Sequence, residues 1–83
     1  METLQTAYGT FTVYLNHLNS DQENLFHISF ICRNKLHVVL MQESTEGWIF
    51  LIPQGLPAWI IELQGQFDLL ITRELLRKHV QAA

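Results

Sequence analysis

The sequence predicts an α+β fold: a four-stranded antiparallel β-meander followed by one long C-terminal helix packed on one sheet face. Three observations point there. Between Leu25 and Pro53, short apolar runs are cut by two polar turn signals, Arg33-Asn34-Lys35 and Ser44-Thr45-Glu46-Gly47. Between Tyr8 and Leu18, apolar and polar residues alternate. After Pro57 the apolar period changes from two to 3.6.

Residues 1–7 are polar and are expected to be loose, within one small domain spanning 1–83. The first strand follows, with Phe11, Val13 and Leu15 on one side and Thr10, Thr12, Tyr14 and Asn16 on the other. Turn formers and charges from Asn19 to Asn24 make an exposed hairpin loop. If Leu18 faces Leu25 across that hairpin, His17 projects beside Phe26.

The second strand runs from about Leu25 to Cys32, with Phe26, Ile28, Phe30 and Cys32 on one face. A three-residue turn at Arg33-Asn34-Lys35 would set Cys32 against Leu36, Phe30 against Val38 and Ile28 against Leu40. The third strand, Leu36 to Glu43, then shows His37, Val39 and Met41 on the opposite side. A two-residue turn would reverse this and set His37 against Phe30, which suits a dry core less well. The fourth strand, Trp48 to Ile52, is apolar throughout and ends at Pro53.

Pro57 suits a first helical turn, and the helix is expected to continue to about Gln81. Trp59, Ile60, Leu63, Phe67, Leu70 and Ile71 fall in one arc wide enough to cover a sheet face. A thinner seam of Ile61, Gly65, Leu69, Thr72 and Leu76 recurs at the rhythm of a helix–helix contact. Gly65 serves there either as a point of close approach or as a kink.

Composition bounds the function. At 83 residues the core is small, yet 48% of residues are hydrophobic, mean hydropathy is +0.11 and only 16% are charged. Surplus apolar surface on so small a domain is commonly covered by a second copy or a partner, so a homodimer is expected. The net charge of −3 disfavours phosphate-backbone binding, and the candidate cations are few: Arg33 and Lys35 at a turn, then Arg73, Arg77 and Lys78 near the C-terminus. Cys32 is the single cysteine, so no internal disulfide can form, and its apolar strand marks it as an inert thiol. The N-terminal residues carry no secretory pattern and no apolar run approaches a membrane span, so a cytoplasmic protein without a membrane contact is expected.

No constellation points to chemistry. With the pairings above, His27 lies opposite Met41 and His37 opposite Ile31, too far apart to share an ion, and His17 is on the other face; no metal or other cofactor is expected. Glu43 and Glu46 flank a turn, Asp21 and Glu23 share a loop, and Glu62 and Asp68 point to different sides of the helix, so no carboxylate pair suggests itself. No serine sits in a glycine-flanked elbow, and the four glycines are scattered. No catalytic residue is assigned, and the chain is read as a non-enzyme.

Two interaction surfaces remain. The first is a sheet face bearing Tyr14, His27, Ile31, His37, Val39, Met41 and Trp48, nearly without charge, as protein interfaces are. The second is the helix seam of Ile61, Gly65, Leu69 and Leu76. The expected function is therefore protein–protein interaction or regulation, with a protein partner of unspecified identity. The alternative is a single-stranded nucleic-acid-binding module. Meanders followed by one helix do occur in single-strand-binding transcriptional coactivators, as in small Tudor-like or SH3-like adaptors, but this chain lacks the lysine- and arginine-studded strands of the former. Order of elements does not establish function.

Overall fold

A computed structural model describes residues 2–19, 21 and 24–82. It is an α+β architecture, an antiparallel meander followed by a C-terminal helix on one sheet face. The strands are β1 (Glu2–Thr6), β2 (Gly9–Asn19), β3 (Asn24–Cys32), β4 (Lys35–Ser44) and β5 (Gly47–Phe50), joined in sequence order. A short helix α1 (Ala58–Ile61) leads into α2 (Gln64–Ala82).

The meander has a strand more than expected, because residues 2–6 are not loose. They pair antiparallel with β2, from Glu2 opposite Val13 to Thr6 opposite Gly9. Leu4 is the residue that holds this edge strand, lying buried opposite Phe11. The turn is closed by the Thr6 hydroxyl, which donates to the Gly9 carbonyl and accepts the Tyr8 N–H. Ser44 does the same between β4 and β5, donating to the Gly47 carbonyl and accepting the Glu46 N–H. Both turns end on a glycine with positive φ, 120° at Gly9 and 111° at Gly47.

The β2–β3 register is the expected one, with Leu18 opposite Leu25 and His17 opposite Phe26. The β3–β4 register is not. The turn has two residues, Arg33 and Asn34, with φ of 53° and 63°, and Cys32 pairs with Lys35. Positive φ at both central residues is the hairpin geometry whose twist matches that of the strands. The consequence is a one-residue slip that turns every β4 side chain over. His37, Val39 and Met41 face the core, opposite Phe30, Ile28 and Phe26, while Leu36, Val38 and Leu40 face outward. The fourth expected strand is also shorter, ending at Phe50, with one further ladder bond from the Leu51 N–H to the Leu40 carbonyl at 2.9 Å.

The core lies between the inward face and the helices. Val13, Phe26, Ile28, Phe30 and Met41 from the sheet meet Ile60, Leu63, Phe67, Leu70 and Ile71, with Trp59 packed against them. Phe30 is central, its ring 5.5 Å from both Phe11 and Phe67. Burying each such side chain contributes roughly 1.5–3 kcal/mol. The predicted helical arc is thus the one that covers the sheet.

The helix is interrupted, but not at Gly65. Residues 62–63 form a tighter turn in which the Leu63 N–H bonds to the Ile60 carbonyl at 2.9 Å, and α2 starts at Gln64. The break lets α2 seat on β5. The Phe50 N–H donates to the Gln64 side chain at 3.0 Å, and the Trp48 N–H donates to Asp68 at 2.8 Å. On its other side α2 reaches β1, where the Gln66 side-chain amide donates to the Gln5 carbonyl and Arg77 pairs with Glu2 at 2.8 Å. Both edge strands are therefore tied to α2, and backbone groups that would template further strand pairing are engaged.

Candidate functional site

The other face of the sheet is covered by no described element. Strand alternation and register place Thr12, Tyr14, Asn16 and Leu18 of β2 there, with Leu25, His27, Ser29 and Ile31 of β3. Leu36, Val38, Leu40 and Gln42 of β4 join them, with Ile49 of β5. No Asp, Glu, Lys or Arg stands at an outward strand position. Tyr14, Leu18, Ile31, Leu36 and Val38 are each between 42% and 61% exposed. Large apolar side chains at that exposure, in contiguous rows, are what monomeric surfaces rarely show.

The rows are ordered across the strands. Ile31 and Leu36 form one apolar row, Tyr14 and Val38 flank Ser29 in the next, and Asn16 and His27 lie beside Leu40 in a more polar one. Leu18, Leu25 and Ile49 flank Gln42 in the last. A depression of about 260 Å³ lined by His27, Val38, Val39, Leu40, Ile52 and Leu56 borders this face along β4.

Of the seven residues expected on this surface, Tyr14, His27 and Ile31 stand on it. His37, Val39, Met41 and Trp48 do not. Val39, Met41 and Trp48 are buried on the helix side, and His37 lies half-buried there. For the three β4 residues the cause is the two-residue turn. Trp48 is turned inward by its pairing with Glu43, and its ring meets Phe26 edge-on at 5.1 Å. The missed outward residues are Leu36, Val38 and Leu40. Their apolar character was visible in the sequence, but their side depended on the turn.

The helix seam lies wholly on the solvent side. Ile61, Leu69 and Leu76 are 43%, 65% and 61% exposed, and Gly65 and Thr72 are exposed beside them. A Cβ built on Gly65 would meet no atom within 4 Å, so nothing within the chain approaches it closely.

The histidines are dispersed. His17 stacks on Phe26 with ring centroids 4.5 Å apart and hydrogen-bonds Asn24. His27 pairs with Leu40 on the outer face, whereas His37 pairs with Phe30 on the inner face. Among the described residues no group of three or more His, Cys, Asp or Glu could hold a metal ion. Two of the acids are engaged structurally: Asp68 holds the β5 edge, and Glu62 accepts a hydrogen bond from the Tyr8 hydroxyl. That bond, which favours the protonated phenol, raises the Tyr8 pKa above its ordinary value. No described helix is long and apolar enough to cross a membrane. No protein-family model, curated protein or solved structure matches the chain.

Proposed function

We propose that this chain is a non-enzymatic interaction protein that pairs with a second copy of itself through the uncovered sheet face and offers the α2 seam to a different protein. One observation carries the reading: the outward strand positions hold large aliphatic and aromatic side chains and no formal charge. Five strands about 4.8 Å apart and roughly eight residues long present a face on the order of 600 Å². That is of the same order as the ~800 Å² each partner contributes to a standard interface. A charge-free face can meet its own copy without like-charge repulsion, and sheets pack face to face at about 10 Å through such side chains. With that face occupied, Leu69 and Leu76 of α2, together with Ile61 of α1, are the apolar surface left for a protein partner. A buried free thiol at Cys32 suits the cytoplasm.

Single-strand nucleic-acid binding is supported less well. Aromatic platforms normally work with a positive groove, and the outward strand positions supply neither lysine nor arginine.

Light scattering behind a sizing column tests the proposal. Twice the chain mass of 9.7 kDa is expected at micromolar concentration, and Val38→Asp is expected to give the single-chain mass with an unchanged circular dichroism spectrum. A wild-type protein that stays at the single-chain mass to high micromolar concentration overturns the reading.

A further inference from the structure

The helix side of the sheet, opposite the uncovered face, carries a cavity of its own. Where the β1–β2 turn, the β3–β4 turn and α1 meet, a cavity of about 340 Å³ is lined by Tyr8, Cys32, Arg33, Lys35, His37 and Trp59. This volume is at the small end of ligand pockets. Its walls are aromatic: Trp59 stands 5.2 Å from His37 at 88° and 5.6 Å from Tyr8 at 58°. The His37 ring is also stacked on Phe30, 5.2 Å away at 22°, and is thereby held from the core side.

The rim is cationic on a chain whose net charge is −3. Arg33 and Lys35 are both exposed, and the ion pairs among the described residues belong to Arg77. Glu62, held by the Tyr8 hydroxyl, is not among the lining residues. The turn itself gives Arg33 no structural reason to be arginine. At φ 53° a side chain with a Cβ is disfavoured by about 1–2 kcal/mol, and asparagine or glycine would hold the same turn more easily. Backbone strain of this kind collects at ligand-binding positions.

We propose that this cavity binds a small planar aromatic anion, one or two fused rings carrying a carboxylate or a phosphate. The ring lies against Trp59 and His37, and the anionic group lies between Arg33 and Lys35. Arginine offers a planar two-donor fork to either oxyanion, and lysine adds a point charge.

The test is a titration of the ¹⁵N-labelled full chain with 2-naphthoate, 2-naphthyl phosphate and the neutral 2-naphthylmethanol, followed by NMR. Saturable shifts are expected at the Arg33 and Lys35 amides and the Trp59 indole N–H. At least one anion is expected to bind about tenfold or more tighter than the alcohol, and the stronger of the two identifies the oxyanion class. Arg33→Gly keeps the positive φ, so it should weaken the anion about tenfold without lowering Tm. Three results would each overturn the proposal: equal affinity for the alcohol and the anions, shifts confined to Tyr14, Ile31 and Val38 on the outer face, or no saturation at millimolar probe.

Discussion

The two faces of this sheet are made from the same strands and nearly the same residue types, yet one is a core and the other is bare. β4 makes the contrast sharpest. Its inward set is His37, Val39 and Met41, and its outward set is Leu36, Val38 and Leu40. Either set is apolar enough to be buried. By hydrophobicity alone the outward set is the better core, since the inward one contains a histidine. What decides is the hairpin turn: positive φ at Arg33 and Asn34 makes a two-residue connection and fixes the register from its end. Where both faces of a strand are apolar, burial cannot select the register, and turn geometry does.

The largest expected effect separates neighbours on that strand. Val39 is 5% exposed in the core and Val38 is 48% exposed on the outer face. Val39→Asp places a carboxylate opposite Ile28 in an apolar core with no described cation. The cost is expected to exceed about 4 kcal/mol, a large part of the roughly 4–12 kcal/mol that a chain of this length possesses. In the single chain Val38→Asp should cost about 1 kcal/mol or less, the span of strand preference at an exposed site. Urea denaturation of both variants and the wild type, at a concentration low enough for all three to stay at the single-chain mass, checks this, and equal losses there would mean that the two faces are equally buried within the chain.

A middling effect is expected where α2 meets the sheet edge. A Cβ on Gly47 would lie 2.9 Å from Asp68 Oδ1, and φ is 111°. Gly47→Ala therefore strains the backbone and pushes on the carboxylate that accepts the Trp48 N–H. A loss of about 2 kcal/mol is expected, seen as a fall in Tm of roughly 10 °C. Gly9→Ala has the same backbone problem with open space around it, so it should lose less. A larger loss at Gly9 would show that the clash with Asp68 contributes nothing.

These two turns also show what was legible in the sequence. Thr6-Ala7-Tyr8-Gly9 and Ser44-Thr45-Glu46-Gly47 share a hydroxyl residue three positions before a glycine, and both close hairpins by the same hydrogen bonds. The second was recognisable because apolar runs flank it. The first was missed because β1 has one inward apolar residue, Leu4, and an edge strand paired on one side needs little more. β2 was legible through alternation, and the burying arc of the helices through its 3.6 period. Arg33-Asn34 was not, because arginine gives no sign of positive φ and asparagine alone is a weaker sign of it than glycine. The outer face was therefore recognised as apolar and uncharged, but its β4 residues were the wrong set.

The smallest expected effect concerns the other bare surface, the α2 seam. Gly65 is within α2, exposed, with no atom within 4 Å of a would-be Cβ. In a helix interior alanine is favoured over glycine by about 1 kcal/mol, because glycine leaves more backbone freedom behind in the unfolded chain, and Gly65, the second residue of α2, should show less than that. Gly65→Ala should accordingly raise Tm by no more than roughly 4–8 °C if this surface is free in solution. If instead a helix of another chain lies across the seam, the added methyl meets its backbone, and the gain shrinks or reverses as protein concentration rises. Thermal melts at low and high micromolar concentration separate these outcomes. A concentration-independent gain leaves the sheet face as the self-association surface, whereas a concentration-dependent loss moves self-association to α2.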